Sequence, residues 1–92
     1  MHRSAMTPLV SVLLPARNAE GSIDAAVQSV LAQTFTNFEL IVIDDGSTDG
    51  TREMVTQLQA DYPRLKYAPQ PHRGIPAARN NGIRNATGDI VA

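Results

Sequence analysis

The sequence alternates short, continuous apolar runs with segments in which apolar residues recur every three or four positions. The continuous runs lie at residues 10–14, 38–43, 65–68 and 89–92. Runs of this length, bounded by turn-forming residues, are typical of strands buried on both faces of a sheet. We expect Pro15 to end the first strand and a polar loop to follow the second strand from Asp44 onward.

The three intervening segments show helical periodicity, with their apolar side chains along one stripe. The first helix is predicted over residues 23–33. The second is predicted to begin near residues 49–50 and to stop at Pro63. The third has Pro76 near its start and Gly88 after its end. Its predicted apolar face comprises Ile75, Ala78, Gly82, Ile83 and Ala86.

The predicted order of elements is β-α-β-α-β-α-β, and such alternation indicates a parallel sheet. If the first three strands progress in one direction and the fourth returns to the other side of the first, right-handed crossovers give a Rossmann-like α/β fold with strand order 3-2-1-4 and helices on both faces. We expect this arrangement. A sequential order 1-2-3-4 stays open at this stage. In the favoured order, the loops at residues 15–20 and 44–49 leave the sheet at one edge. That edge lies beside the switch point between the first and fourth strands, where open α/β sheets bind ligands.

The amino-acid composition excludes several classes of function for this protein. The 92 residues suffice for one domain, and 8 basic against 9 acidic side chains give no reason to expect a nucleic-acid partner. The absence of cysteine excludes disulfides, thiolate metal sites and cysteine nucleophiles. No run approaches the ~20 apolar residues of a membrane helix. Neither a G-x-G-x-x-G turn nor a P-loop is present, which argues against a dinucleotide site and excludes a P-loop site.

Four stretches of the chain resemble the family 2 glycosyltransferases, which have the GT-A fold. Residues 10–20 (VSVLLPARNAE) resemble the opening strand and its P-x-[YR]-N-x-E loop. Residues 39–51 (ELIVIDDGSTDGT) match the family's double-aspartate motif at every position. Residues 29–38 (SVLAQTFTNF) and 74–92 resemble the S-[IV]-L-x-Q-T and G-x-x-x-A-R-N stretches. The resemblance covers about residues 9–92.

The resemblance implies an incomplete GT-A domain. Residues 1–8 are expected to be a disordered tail, and residues 9–92 the N-terminal nucleotide-binding part, truncated before the family's D-x-D motif. The implied activity is sugar transfer with inversion from a nucleotide-diphosphate sugar, with a UDP-sugar favoured. Carboxylates beyond Ala92 would hold the Mg2+ or Mn2+ ion of the complete enzyme, so we expect no catalytic residue and no metal ligand within this chain. The acceptor, whether a glycan, a lipid or a polysaccharide, stays open.

The resemblance also assigns roles to two adjacent aspartates. Asp45 is predicted to accept the uracil N3–H, because an ionised carboxylate is only an acceptor. Asp44 is predicted to order the loop or to contact ribose. Adjacent residues at the end of a strand point to opposite sides, so the two carboxyl groups are not expected to share a proton. Turn and helix-cap chemistry is the competing interpretation, and it is the simpler one for Thr48 and Asp49.

The other predicted nucleotide-site residues are Pro15, Arg17, Asn18, Glu20 and Arg79. The resemblance implies that Pro15 presents its backbone to the base. Arg17, where the family more often has tyrosine, either stacks on the base, reaches a phosphate or stays in solvent. Asn18 and Glu20 either contact the base or ribose or hold the first loop in place. Arg79 is predicted to lie near the base or the diphosphate.

Two alternatives to an enzyme site stay open at this stage. The chain could be a non-catalytic nucleotide-binding or interaction module, and the exposed edge of the fourth strand would suit a homodimer. His2 and His72 have no partners at metal-ligand spacing, so both are predicted to be exposed to solvent. We expect a cytoplasmic location, with membrane association only through the full-length parent.

Overall fold

The computed structural model describes residues 10–33 and 37–91. The predicted disordered tail at residues 1–8 lies outside these ranges. The elements in chain order are β1 Val10–Ala16, α1 Ile23–Gln33, β2 Phe38–Asp45, α2 Thr51–Asp61, β3 Leu65–Gln70, α3 Ile75–Asn85 and β4 Ile90–Val91.

The described strands form one sheet in the order β3-β2-β1-β4, and every neighbouring pair is parallel. This confirms the predicted 3-2-1-4 order and excludes the sequential one. In the register, Val12 of β1 pairs with Leu40 of β2, and Leu40 pairs in turn with Leu65 of β3. The carboxyl ends of β1, β2 and β3 therefore share one edge of the sheet.

Three strands extend further than the sequence predicted. β1 continues through Pro15 to Ala16, β2 includes both aspartates, and β3 continues through Pro69 to Gln70. Proline is tolerated where a strand has a free side. β4 pairs only with Val10 and Ser11, so β1 is an edge strand at Pro15, and β3 is the outer strand of the sheet throughout. The prediction that Pro15 ends β1 was therefore wrong.

The core lies on both faces of β2, in which every residue is buried. On one face, Leu40 and Val42 pack with Val27 of α1 and Val55 of α2. On the other face, Ile41 and Ile43 pack with α3 through Ala78. The predicted placement of helices on both faces is confirmed.

Helix α3 buries a narrower stripe than the sequence predicted. Ala78 and Gly82 are buried, whereas Ile75 and Ile83 are 71 % and 49 % exposed. A Cβ atom at Gly82 would lie 2.9 Å from Ile43 Cδ1, so the missing side chain lets the helix approach the sheet closely. Ala78 and Gly82 therefore form the contact between α3 and the sheet, and Ile75 and Ile83 lie outside it.

A buried carboxylate ties the amino-terminal end of β2 to its neighbours. Glu39 is 3 % exposed, and its Oε2 accepts hydrogen bonds from Ser11 Oγ at 2.5 Å and Thr87 N at 2.7 Å. Its Oε1 pairs with Lys66 on β3. Burial raises the pKa of Glu39, but the bonds from Lys66, Ser11 and Thr87 outweigh it and lower the pKa to about 2.

The turn between α3 and β4 is held on the same network. Gly88 N donates to Ser11 Oγ at 2.8 Å. The helix ends at Asn85, earlier than the predicted closure at Gly88. Gly88 is needed for a different reason, because its backbone lies directly against β1.

We predict that Gly88→Ala destabilises the fold by about 2 kcal/mol, as expected for overpacking against backbone. The added Cβ would lie 2.7 Å from Ser11 Oγ and 2.8 Å from Ser11 N. The free energy of unfolding in urea measures the effect. Gly21→Ala is the matched control, since nothing lies within 4 Å of its Cβ position. Equal stability of the two variants would contradict the described approach of the turn to β1.

We predict that Glu39→Gln lowers the free energy of unfolding at pH 7 by about 1–3 kcal/mol, because it weakens a charged hydrogen-bond network. The folded-state pKa of Glu39 lies below its unfolded value, so its stabilisation is complete above pH about 4.5 and is lost as the pH falls to about 2. The variant should therefore lose less stability than the wild type over that range. Urea unfolding at several pH values tests this, with the exposed Glu53→Gln as the charge-matched control.

Candidate functional site

The loops that follow β1 and β2 are joined by reciprocal hydrogen bonds. Asn18 N donates to Ser47 Oγ at 2.8 Å, and Thr48 N donates to Asn18 Oδ1 at 2.8 Å. Asn18 adopts a left-handed conformation with φ 50°, which asparagine tolerates better than most residues. The predicted meeting of the two polar loops at one sheet edge is thus found in the structure.

Glu20 braces the same pair of loops. Its Oε2 accepts from Gly50 N at 3.1 Å, and its own N–H donates to Asp49 Oδ2 at 3.2 Å. Asp49 Oδ1 accepts from Thr51 N and Thr51 Oγ1, and the Thr51 hydroxyl bond lowers the pKa of Asp49. Asn18 and Glu20 were predicted either to contact the base or ribose or to hold the first loop in place. These contacts correspond to the second role. Asp49 acts at the helix start, whereas the Thr48 N–H is bound by the first loop.

The two aspartates at the end of β2 have separate surroundings. Asp44 Oδ1 accepts from Ser47 N at 2.9 Å, and its Oδ2 accepts from the Tyr67 hydroxyl. Burial and the contact with Asp44 raise the pKa of Tyr67. None of these partners is shared with Asp45. The two carboxyl groups therefore act independently, as the alternation of a strand requires.

Asp45 accepts four hydrogen bonds, one from the last residue of β3 and three from the segment that connects β3 to α3. Its Oδ1 accepts from Gln70 Nε2 and Arg73 N, each at 2.8 Å. Its Oδ2 contacts His72 Nδ1 at 2.8 Å and accepts from Gly74 N at 3.0 Å. The bonds from the Arg73 N–H and Gln70 hold the pKa of Asp45 well below its usual range. Asp45 is thus an ionised acceptor, with a side chain that is almost completely buried.

The sheet edge has a pocket on each side of the aspartate pair. One pocket, of about 280 Å³, is lined by Pro15, Ala16, Arg17, Asp45, His72, Gly74, Ile75 and Ala78. We call it the switch-point pocket, because it lies at the carboxyl end of β1, the strand that pairs with both β2 and β4. The second pocket, of about 330 Å³, is lined by Asp44, Gly46, Ser47, Arg52, Tyr67, Pro69, Gln70 and Pro71.

The structure divides the predicted site residues among four locations. Pro15, Arg17 and Asp45 line the switch-point pocket. Asp44 lies at the second pocket, and Asn18 and Glu20 brace the loops. Arg79 is exposed on α3 and lines neither pocket, although its neighbour Ala78 lines the first.

Sequence reasoning missed the contribution of the segment between β3 and α3. From the sequence, His72 was predicted only to be exposed to solvent. The His72 ring is 56 % exposed, yet it contacts Asp45, and two backbone N–H groups of the segment bind the same carboxylate. The parallel topology carried a signal for this, since the carboxyl end of β3 lies at the same edge as those of β1 and β2.

The residues that the structure describes contain no cluster of side chains arranged to bind a metal ion. Within residues 10–33 and 37–91, no group of three or more histidine or acidic side chains could hold a metal ion. The residues present therefore do not form a metal site by themselves. Among the helices that the structure describes, none is long and apolar enough to cross a membrane.

A parallel α/β sheet with a pocket beyond the carboxyl end of β1, the strand at which the sheet order reverses, has the arrangement of a nucleotide-binding domain. The sequence model of glycosyl transferase family 2 matches residues 11–92, and the chain belongs to that family. An uncharacterized glycosyltransferase from Rickettsia felis is 43 % identical over 83 residues, which are 90 % of this chain and 14 % of the relative.

Two solved structures share the fold. A mannosyltransferase from Pyrobaculum calidifontis, in complex with GDP-Man and Mn2+, is 30 % identical with a TM-score of 0.82, over 95 % of this chain and 27 % of that one. S. aureus TarS, in complex with UDP-GlcNAc, is 34 % identical with a TM-score of 0.78, over 89 % of this chain and 24 % of that one. In eight curated relatives that it matches, the chain spans only 12–34 % of the relative's length.

We predict that Asn18→Ala speeds amide hydrogen exchange at Thr48, because the N–H loses its acceptor on the first loop. The variant should also lose about 1 kcal/mol of stability from placing alanine in a left-handed conformation. Asn18→Gly separates the two effects, since glycine removes the same bond without that conformational cost. Unchanged exchange at Thr48 in both variants would contradict the described joining of the loops.

Proposed function

We propose that this chain carries the donor-nucleotide site of a family 2 glycosyltransferase that transfers a sugar from a nucleotide-diphosphate sugar to an acceptor. The observation that carries the proposal is Asp45, an ionised acceptor at the wall of the switch-point pocket. A UDP-sugar is the favoured donor, and the base is expected to enter beside the end of β1.

The acceptor chemistry of Asp45 favours particular bases. Uracil presents an N3–H donor, and guanine also presents N–H donors at its pairing edge. Cytosine presents a lone pair at its N3 position, which an ionised carboxylate repels, and its N–H donors at that edge belong to the exocyclic N4 amino group. Because the carboxylate is almost buried, a base N–H that reaches it is bound with little competition from water. The site should therefore prefer UDP or GDP over CDP.

The solved relatives support a nucleotide-sugar donor. The complexes with UDP-GlcNAc and GDP-Man are formed by proteins whose folds include the sheet described above. Both ligands contain bases with N–H donors, in keeping with an acidic acceptor. The preference for UDP over GDP rests on the family resemblance.

The other residues of the proposed site act around the base. Pro15 and Arg17 lie in the wall of the same pocket, where the Arg17 guanidinium can stack on the base or reach a phosphate. Arg79 is proposed to approach the diphosphate from α3. Asp44 is proposed to order the second loop, because its carboxylate is occupied by Ser47 N and the Tyr67 hydroxyl.

Inversion at the transferred sugar, a divalent metal and an acceptor-activating base are further parts of the proposal. The described residues form no metal site, and we assign no step of the reaction to a metal here. The resemblance assigns the metal ligands and the acceptor-activating base to carboxylates of family motifs that residues 10–33 and 37–91 do not contain. The cytoplasmic location and the edge-paired homodimer stay predictions.

We predict that UDP binds the chain more tightly than CDP, by at least about tenfold, because ring position N3 donates an N–H in uracil and carries a lone pair in cytosine. Heteronuclear NMR titrations of the chain with UDP, GDP and CDP measure the affinities. The shift changes for UDP should centre on Asp45, Arg17 and Gly74. Equal affinity for UDP and CDP, or shift changes confined to the opposite end of the sheet, would contradict the proposed site.

Asp45→Asn supplies the matching variant. It removes the charge and one acceptor oxygen, so UDP affinity should fall at least about tenfold. Asp61→Asn makes the same chemical change at an exposed position at the far end of α2, and it should bind UDP like the wild type. The comparison separates a contact with Asp45 from a general effect of net charge.

A further inference from the structure

The carboxylate of Asp45 has no free acceptor site in this structure. An ionised carboxylate offers about four lone-pair positions, and Asp45 accepts four contacts from residues 70–74. A base N–H can therefore reach this carboxylate only if one of the four partners leaves. Binding of a base at Asp45 therefore displaces one of the four partners, and their other contacts show which one can leave.

Three of the four partners are fixed by other interactions. Arg73 and Gly74 donate backbone N–H groups, and Gly74 O also accepts the first hydrogen bond of α3, from Ala78 N at 3.1 Å. Gln70 Oε1 accepts from Asn81 Nδ2 at 3.0 Å, so its amide group is held from both ends. Moving any of these groups would disturb β3 or the start of α3.

The fourth partner is the imidazole ring of His72, and among the residues that the structure describes this ring is held only by its contact with Asp45. The ring is 56 % exposed, and it makes no second hydrogen bond within the described part of the chain. The backbone of His72 is anchored separately, because it packs on Gly46, where a Cβ would lie 2.7 Å from His72 N. The imidazole can therefore turn away into solvent while the segment keeps its place.

The ring also lies where an incoming base would lie. His72 lines the switch-point pocket together with Arg17 and Asp45, and its Nδ1 is 2.8 Å from Asp45 Oδ2. Because Asp45 is an ionised acceptor, Nδ1 must carry the proton in this contact. A planar ring with an N–H directed at the carboxylate is the same chemistry that uracil presents.

We propose that the His72 imidazole is an internal competitor of the nucleotide base, occupying Asp45 Oδ2 in the nucleotide-free protein and leaving it when the base binds. This inference rests on the proposed function and names the change that accompanies binding. His72 is accordingly an autoinhibitory residue that weakens nucleotide affinity and keeps the buried carboxylate satisfied while the pocket is free.

The test compares UDP affinity in the wild type, His72→Ala and His72→Asn. Removing the ring removes the competitor, so His72→Ala should bind UDP about three- to tenfold more tightly, the value of one surface hydrogen bond. An asparagine side chain places its Nδ2 donor near the position of the imidazole Nδ1. His72→Asn should therefore retain the competition and bind within about twofold of the wild type.

The direction of the change distinguishes competition from a structural role. If His72 only ordered the segment, His72→Ala would bind UDP more weakly. Affinity that is equal or lower in His72→Ala, with UDP still bound by the wild type, would overturn this inference and leave the proposed function intact. Absence of UDP binding in all three proteins would instead overturn the proposed function, and this inference with it.

A second measurement follows the ring directly. Long-range ¹H–¹⁵N NMR spectra of the imidazole should show a protonated, hydrogen-bonded Nδ1 in the free chain. Saturation with UDP should move these signals towards those of His72 in Asp45→Asn, where the carboxylate partner is missing. Ring signals that stay unchanged at UDP saturation would overturn the displacement.

Discussion

The structure depends on burying β2 on both faces while its carboxyl end carries two aspartates. An apolar strand between two layers of helices has no face that water can reach, so polar chemistry is confined to its ends. The alternation of side chains then sends Asp44 towards one pocket and Asp45 towards the other. Each carboxylate accepts hydrogen bonds from the segments that surround it. The end of β2 therefore holds together the segments at this edge of the sheet.

The loops at this edge are held mainly by hydrogen bonds between side chains and backbone. Asn18, Glu20 and Asp49 each bind an N–H group across or within the loops, and Asp45 binds two N–H groups of the segment before α3. Backbone donors that would otherwise be unsatisfied thus find acceptors on the neighbouring connection. The acidic composition of these loops serves the fold directly, and only Asp45 also faces the switch-point pocket.

Glu39 shows the same principle at the other end of β2. Its carboxylate is buried but accepts bonds from β1 and from the turn before β4, and it pairs with Lys66 on β3. The network thus joins β1 and β3 to the turn that leads into β4. Glu39 therefore joins the neighbouring strands at the amino-terminal end of β2, and Asp45 holds the candidate site at its carboxyl end.

The sequence by itself determined the element order, because apolar periodicity is a local constraint, and it predicted the edge at which the polar loops meet. The 3-2-1-4 order was expected, but only the tertiary structure excluded the sequential order. The sequence also indicated Asp45 as an acceptor through the family resemblance. Only the tertiary structure decided that Pro15 and Pro69 lie within strands, that Ile75 and Ile83 are exposed, and that His72 contacts Asp45. These outcomes depend on which strand has a free side, how closely α3 approaches the sheet, and how a distant segment folds back. Each is a contact between residues far apart in the chain, and no local pattern encodes it.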